Sequence, residues 1–263
     1  MLRAHQVSAA YGKTEVLKNV SVTFGAGRFT AIIGPNGCGK TSLLKAIMGF
    51  LPVSAGDVHL EGKPVKNMNR RQFARRIAYL PQESHCPEYI TVGELIELAG
   101  YARYSMFGGA GEKDRELFRS ALETVGLADM AGRKMNSLSG GQRQRAWIAM
   151  ILAQDSDIVL MDEPVNHLDM KYQLGILGLV RDLSSRSAKT VVTVLHDLNL
   201  TTAFADDVVI MQDGEVLTSG PVAENITPEN IARVFDLDVE VFERGNRLVC
   251  LPRLGDERRA QAC

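Results

Sequence analysis

The chain has 263 residues, of which 45% are hydrophobic and 23% charged, a composition that excludes a largely disordered protein. Its 30 Lys and Arg residues balance 31 Asp and Glu residues and leave a formal net charge of −1, so nothing attracts it generally to nucleic acid or an anionic membrane. Any phosphate binding must therefore come from a local site. The length favours one large domain with an inserted or appended subdomain.

Cysteine spacing and hydropathy indicate the compartment. Cys38, Cys86, Cys250 and Cys263 are irregularly spaced, which favours a reduced, cytosolic protein over a secreted disulfide framework. The longest apolar run, residues 146–153, is far shorter than the roughly 18 to 20 residues of a membrane span, and the amino terminus does not read as a signal peptide. We expect another chain to cross any membrane at which this protein acts.

The amino-terminal third predicts strand, loop and helix in order. Residues 20–24 alternate between apolar and polar, as in a half-buried antiparallel strand. Residues 28–34 form a short apolar run that enters a glycine-rich turn. Helical spacing follows in Leu43, Leu44, Ile47 and Met48.

Residues 88–150 predict an inserted helical subdomain, since the helical segments 91–100 and 113–126 are joined by a glycine-rich link at 107–111 with no strand-like run. Beyond it, two β-branched runs at 157–164 and 190–197 indicate buried parallel strands. We expect chemistry at their carboxyl ends.

A helix is predicted between these two strands from the spacing of Leu174, Leu177, Val180 and Leu183. Residues 207–220 predict a hairpin that turns at Asp213-Gly214. The charged tail from Leu254 is expected to fray.

Residues 34–41 match the pattern GxxxxGK[ST] between a predicted strand and a predicted helix, which is the context of a phosphate-binding loop. Backbone N–H groups and the helix N-terminus would hold phosphate oxygens, Lys40 would reach the β and γ phosphates, and Thr41 would ligate Mg²⁺. A glycine-rich turn without function is the disfavoured alternative. The predicted ATP-contacting residues here are Gly34, Pro35, Asn36, Gly37, Cys38, Gly39, Lys40, Thr41 and Ser42.

Two carboxylates end the run at 157–164. Side chains of adjacent strand residues point to opposite sides, so Asp162 can hold Mg²⁺ while Glu163 orients or deprotonates the attacking water. Alone, such a pair is more often a solvated helix cap, but the upstream phosphate loop favours the catalytic interpretation.

Residues 138–142, Leu-Ser-Gly-Gly-Gln, precede a predicted helix for which Ser139 is a natural N-cap. Locally this is only a capped helix start. With the phosphate loop and Met161-Asp162-Glu163-Pro164, however, it resembles the signature sequence of the ABC ATPase family. The resemblance implies an α/β fold: a P-loop NTPase (RecA-like) core with a mixed, mostly parallel sheet, an amino-terminal antiparallel β subdomain and an inserted α-helical subdomain. It divides the chain into a core (1–87 and 151–227), a helical subdomain (88–150) and a carboxyl-terminal extension (228–263).

Other landmarks occur in the family's order. Tyr11 resembles the aromatic residue that stacks on adenine, although a lone Tyr is more often ordinary packing. Gln82 resembles the glutamine that touches Mg²⁺ and the water. Residues 166–169, ending in Asp169, resemble the loop that crosses a dimer interface. His196 resembles the switch histidine at the γ-phosphate, with a core histidine as the alternative.

The chain departs from the family pattern at Val165, where many relatives have Thr. The change removes a hydroxyl near the interface loop and puts fine coupling in doubt. The resemblance also implies a head-to-tail dimer, in which Ser139, Gly140, Gly141 and Gln142 of one subunit close on ATP held by the other. ATP then joins the subunits and hydrolysis releases them.

Residues 138–150 and 195–199 are similar to segments of bacterial ferric-siderophore importer ATPases. This implies ATP and Mg²⁺ as cofactors, transmembrane permease subunits, an extracytoplasmic binding protein as indirect partner, and a peripheral place on the cytoplasmic face of the inner membrane. The expected permease surface is 83–107, with Glu94, Leu95 and Leu98 at helical spacing, although packing of the insert explains these three equally well.

Several alternatives remain. The cargo could be haem, cobalamin or another metal chelate. ABC ATPases without a membrane partner act on ribosomes or DNA, but they carry paired domains or long coiled coils, and this chain has one phosphate loop and no heptad run. A binding module without turnover is disfavoured because Glu163 and His196 are both present.

Overall fold

The structure is a computed structural model that describes residues 1–104, 109–166, 168–245 and 247–253. Four parts of the sequence predictions lie outside the described residues. They are residues 105–107 of the expected permease surface, Phe107 and Gly108 of the glycine-rich link, His167 of the interface loop, and the tail from Leu254.

In chain order, the strands of the described residues are β1 (Leu2–Tyr11), β2 (Thr14–Phe24), β3 (Phe29–Ile33), β4 (Val53–Leu60), β5 (Lys63–Pro64), β6 (Ile77–Leu80), β7 (Ile158–Asp162), β8 (Thr190–Val194), β9 (Asp207–Gln212), β10 (Glu215–Pro221), β11 (Val239–Glu243) and β12 (Leu248–Pro252). The α-helices are α1 (Lys40–Ile47), α2 (Arg70–Arg76), α3 (Val92–Glu97), α4 (Glu112–Thr124), α5 (Gly140–Gln154), α6 (Met170–Ser185), α7 (Leu198–Phe204), α8 (Val222–Asn225) and α9 (Pro228–Phe235).

One compact unit comprises Met1–Glu61 and the described residues from Val194 onward. In it, β1 pairs antiparallel with β2 and β4. Alternate residues Val20, Val22 and Phe24 of β2 are buried, which confirms the half-buried strand. The strand β3 is buried throughout and runs parallel to β9, and β9 pairs antiparallel with β10. The sheet is therefore mixed, as predicted.

The turn between β9 and β10 confirms the predicted hairpin. Asp213 and Gly214 have φ values of 50° and 86°, and positive φ at both central residues is the mark of a type I′ turn, whose twist matches that of the flanking strands. Aspartate and glycine reach this conformation at little cost.

The second compact unit is Gly62–Thr193. Here β6 runs parallel to β7, in the strand order β8-β7-β6. The described part of residues 88–150 contains α3, α4 and most of α5 and no named strand, which agrees with the helical segments predicted there. The capping box of α3 uses Thr91 and Glu94, and this explains where that helix begins.

The helix predicted between the two β-branched strands is confirmed, and it is α6. Of the four residues at helical spacing, Leu177 and Val180 are buried, Leu183 is half-buried and Leu174 is exposed, while Ile176 is buried as well. The first turn of α6 is thus largely exposed, and its buried side chains begin at Ile176.

The structure adds elements that no sequence pattern predicted. Beyond residue 227, α9 begins at Pro228 with Thr227 as its N-cap, as expected where proline occupies the first helical position. The antiparallel hairpin of β11 and β12 follows. The division into core, helical subdomain and extension remains a prediction, because the compact units are cut at other residues. No helix among the described residues is both long and apolar enough to cross a bilayer.

Candidate functional site

The phosphate loop lies between β3 and α1 in the first unit. Gly34, Gly37 and Gly39 have φ values of 152°, 81° and 104°, a region that side chains with a Cβ rarely adopt. A Cβ at Gly39 would lie 2.8 Å from the Val16 carbonyl oxygen. The loop therefore needs glycine both for its backbone conformation and for close packing.

Lys40 lies in the first turn of α1 and is buried. Its Nζ donates hydrogen bonds to the carbonyl oxygens of Gly34 (2.8 Å) and Pro35 (2.9 Å). The loop thus holds the ammonium group at its own centre, as expected for a group that contacts phosphate. Burial raises the pKa of the neighbouring Cys38 thiol, and the Lys40 charge offsets this in part.

Thr41 and Ser42 follow Lys40 in the same first turn, where backbone N–H groups are available to an anion. Tyr11 ends β1 and pairs with Thr14 across the turn at Gly12. Its side chain is 49% exposed. An aromatic ring so exposed can stack on a flat ligand, and it is not an ordinary core residue.

His196 follows β8, in the loop before α7. The residues on its strand side are buried, whereas His196 itself is exposed, so it is not a core histidine. The Leu195 backbone N–H donates to the Ile32 carbonyl oxygen over 3.1 Å. This bond ties the His196 loop to β3, the strand that leads into the phosphate loop.

In the second unit, Asp162 ends β7 and Glu163 follows it. Asp162 is 1% exposed, and a carboxylate so buried needs a charged or hydrogen-bonding environment. Glu163 has a φ of 53°, a left-handed conformation that costs on the order of 1–3 kcal/mol and is concentrated at functional sites. The change of backbone conformation after Asp162 turns the two carboxylates to different surroundings.

Glu163 is held by two amides. Its Oε2 accepts a hydrogen bond from Gln82 Nε2 over 2.7 Å and another from Asn166 Nδ2. Gln82 follows β6 as Glu163 follows β7, and the register pairs Leu80 with Met161, so the parallel ladder brings their side chains together. Asn166 was expected only in the interface loop, and its contact with Glu163 has no sequence signal.

The signature residues form the start of α5. Ser139 Oγ accepts from the Gln142 N–H (3.3 Å) while Gln142 Oε1 accepts from the Ser139 N–H (3.0 Å). This confirms Ser139 as the N-cap and adds Gln142 as its capping-box partner. A Cβ at Gly140 would meet nothing within 4 Å, and one at Gly141 only side chains at 3.9 Å or more, so this backbone is open to another molecule.

A hydrogen bond joins the signature helix to the segment after Glu163. Gln144 Nε2 donates to the Pro164 carbonyl oxygen over 2.8 Å. The next residue, Val165, is buried, so an apolar side chain suits its position. Asp169 precedes α6 and is exposed, without a side-chain hydrogen bond to the helix end.

Comparison with known families finds one family model that matches more than half of the chain. Residues 17–166 match the model described as ABC transporter. The matched segment contains the phosphate loop, Gln82, the signature and the acidic pair, whereas Tyr11 and His196 lie outside it.

Full-length relatives are similar over nearly the whole chain. The iron(3+)-hydroxamate import ATP-binding protein FhuC of Bacillus subtilis is 37% identical over 252 residues, which cover 95% of this chain and 94% of the relative. The ferric enterobactin transport ATP-binding protein FepC of Escherichia coli is 38% identical over 242 residues, covering 92% and 89%.

Among solved structures, the dimeric post-hydrolysis state of the ATP-binding cassette MJ0796, bound to ADP and Pi, is similar with a TM-score of 0.75. It is 29% identical and covers 84% of this chain and 99% of that one.

Proposed function

Since the chain belongs to the ABC transporter family, we propose that it is the ATP-hydrolysing subunit of an importer for ferric siderophores. The observation that carries the catalytic part is the 2.7 Å hydrogen bond between Gln82 Nε2 and Glu163 Oε2, at the carboxyl ends of two parallel strands. The cargo rests on relatives that are 37–38% identical over nine tenths of their lengths and are named for ferric hydroxamate and enterobactin transport.

Each group has a role that its environment supports. The phosphate loop and Lys40 bind the phosphates, and Tyr11 stacks on the base. Glu163, fixed by Gln82 and Asn166, accepts the proton of the attacking water. His196 donates to the oxygens of the γ-phosphate, where charge is present throughout the reaction.

The predicted Mg²⁺ ligands have the right chemistry for that ion. Thr41, Gln82 and Asp162 offer hydroxyl, amide and carboxylate oxygens, the donors that Mg²⁺ prefers, and Asp162 is almost fully buried. When bound, the ion supplies neutralisation of phosphate charge. The described residues contain no cluster of three His, Cys, Asp or Glu that could hold a metal alone, and Mg²⁺ usually binds through one or two carboxylates and the substrate's own phosphates.

The protein acts as a head-to-tail homodimer in this proposal. The uncrowded glycine backbone at Gly140 and Gly141 and the exposed Asp169 support a second subunit's approach to this surface. The similar ADP-bound cassette MJ0796 is dimeric, which supports an assembly of two subunits. Because the two subunits are related by a two-fold axis, one such dimer completes two equivalent sites at once.

A permease is the proposed membrane partner, and the contact is at the cytoplasmic face. Within the predicted surface 83–107, Leu95 is buried and is not offered to a partner. Glu94 is exposed, but its carboxylate is engaged in the capping box of α3. Among the described residues of this surface, Tyr89, Leu98 and Tyr101 are 75%, 55% and 77% exposed. Of these three, we propose Leu98 and Tyr101, which lie close together in sequence, as the apolar contacts for docking.

Replacing Leu98 and Tyr101 together with Ser should abolish copurification with coexpressed permease, because docking loses its apolar contacts. ATP hydrolysis by the isolated subunit should stay within about twofold of wild type, because exposed substitutions away from the catalytic groups change folding little. The exposed pair Met170 and Leu174 on α6, replaced in the same way, is the matched control. Undiminished copurification of the Leu98/Tyr101 variant would remove this surface from the proposal.

Gene deletion tests the cargo. Cells without the gene should fail to grow when iron is supplied only as one class of siderophore, and the wild-type gene should restore growth while a Glu163→Gln copy should not. Growth with citrate, haem or cobalamin supplied in place of the siderophore tests the alternative cargoes. Unimpaired growth on every iron chelate, with a defect on an unrelated nutrient, would overturn the cargo and leave the ATPase assignment intact.

A further inference from the structure

We propose that the β11–β12 hairpin positions His196 for ATP hydrolysis, and that Asn199 is the positioning residue through which it acts. The inference rests on the proposed role of His196 at the γ-phosphate. It assigns a function to the carboxyl-terminal hairpin, for which the sequence had none.

The loop that carries His196 is anchored on both sides within the first unit. On its strand side, the Leu195 N–H is bonded to β3. On its other side, Asp197 caps α7, its Oδ1 accepting from the Leu200 N–H over 2.8 Å. The backbone at His196 is therefore held between β3 and α7.

The helix α7 has seven residues, too few to hold its place without tertiary contacts. Thr201, which is fully buried, donates from Oγ1 to the Asp197 carbonyl oxygen over 2.9 Å. That bond closes the first turn of α7, but it does not tie the helix to anything outside itself.

Asn199 makes the tie to the hairpin. Its Nδ2 donates to the Cys250 carbonyl oxygen over 3.1 Å, and its Oδ1 accepts from the Cys250 N–H over 2.9 Å. We call this pair of bonds the Asn199–Cys250 clamp. Cys250 lies in the middle of β12, paired with Val241 of β11. The asparagine amide thus makes the same two hydrogen bonds to β12 that a peptide group of a neighbouring strand would make.

The Asn199–Cys250 clamp supplies hydrogen-bond partners that the Cys250 backbone needs. Cys250 is 4% exposed, so loss of the amide would leave its backbone groups unsatisfied in a poorly hydrated place. Burial, with a smaller contribution from the Asp197 carboxylate, raises the pKa of the Cys250 thiol. A buried thiol that stays protonated reacts slowly, and its alkylation rate therefore reports whether the hairpin is docked.

The test is a double-mutant cycle on steady-state ATP hydrolysis. Asn199→Ala should lower kcat about fivefold with the KM for ATP within about twofold, because positioning affects the chemical step and not phosphate-loop binding. In a His196→Ala background the same change should lower kcat by less than about 1.5-fold, because residues acting through one group are not additive. Thr202→Ala is the matched control and should behave as wild type, because its hydroxyl donates to the Asn199 backbone carbonyl oxygen within the helix and takes no part in the bonds of the Asn199 side chain.

Two further measurements guard against simple unfolding. Asn199→Asp keeps the acceptor but loses the donor, so it should reproduce the kcat loss with the shape of the side chain retained. Peptide-resolved alkylation of Cys250 should be faster in both Asn199 variants than in wild type and in the Thr202 control.

The outcomes separate this inference from the proposed function. Equal kcat losses from Asn199→Ala with and without His196, or wild-type kcat in both Asn199 variants, would overturn the positioning role alone. Wild-type kcat in His196→Ala would overturn both the role of His196 and this inference.

Discussion

Glu163→Gln is expected to lower ATP turnover by about 10²-fold or more, the scale of losing a general base, while ATP still binds. The substitution keeps an Oε1 that can accept from Gln82 and Asn166, as the carboxylate does, so the geometry is retained and only the basic group is lost. Because hydrolysis releases the dimer, the variant should accumulate as an ATP-bound dimer. Light scattering after size exclusion, with ATP and Mg²⁺ present, measures this directly.

Glu83→Gln is the matched control, since it makes the same chemical change on an exposed side chain beside Gln82. It should hydrolyse ATP at the wild-type rate. Turnover by Glu163→Gln within threefold of wild type would exclude Glu163 as the base, and so would a nucleotide-saturated variant that stays monomeric.

Lys40→Ala is expected to remove tight ATP binding. The loop loses the ammonium that it holds between Gly34 and Pro35. Charged hydrogen bonds contribute about 1.5–3 kcal/mol each, so losing those to two phosphates raises the Kd roughly 10²-fold or more. Titration with a fluorescent ATP analogue measures this change.

Lys45→Ala, in the last turn of the same helix, is the control and should bind ATP normally. Because the ammonium also bonds to loop carbonyls, Lys40→Met, which keeps the buried stem, separates loss of charge from loosening of the loop. Affinity within threefold of wild type in both Lys40 variants, with unchanged melting temperatures, would contradict the assigned role.

The local pattern of residues was enough to predict several elements and the chemistry of the site. Glycines at 34, 37 and 39 signal positive φ because other residues rarely adopt it, and Ser139 before a helical run signals a cap. Alternation in β2 and the Asp213-Gly214 turn are likewise short-range effects that neighbouring residues decide. Resemblance to the ABC ATPase family then supplied roles for residues that no local pattern explains, Tyr11, Gln82 and His196 among them.

Tertiary structure alone decided which side chains meet. Gln82 and Glu163 are 81 residues apart in sequence and touch only because β6 and β7 are parallel neighbours in register. Leu95 is buried and Leu98 exposed for a similar reason, since helical spacing fixes their relative directions but not the neighbours that cover them. The Asn199–Cys250 clamp spans 51 residues and has no sequence signal, because an asparagine that pairs with a distant backbone is indistinguishable in sequence from one that faces water.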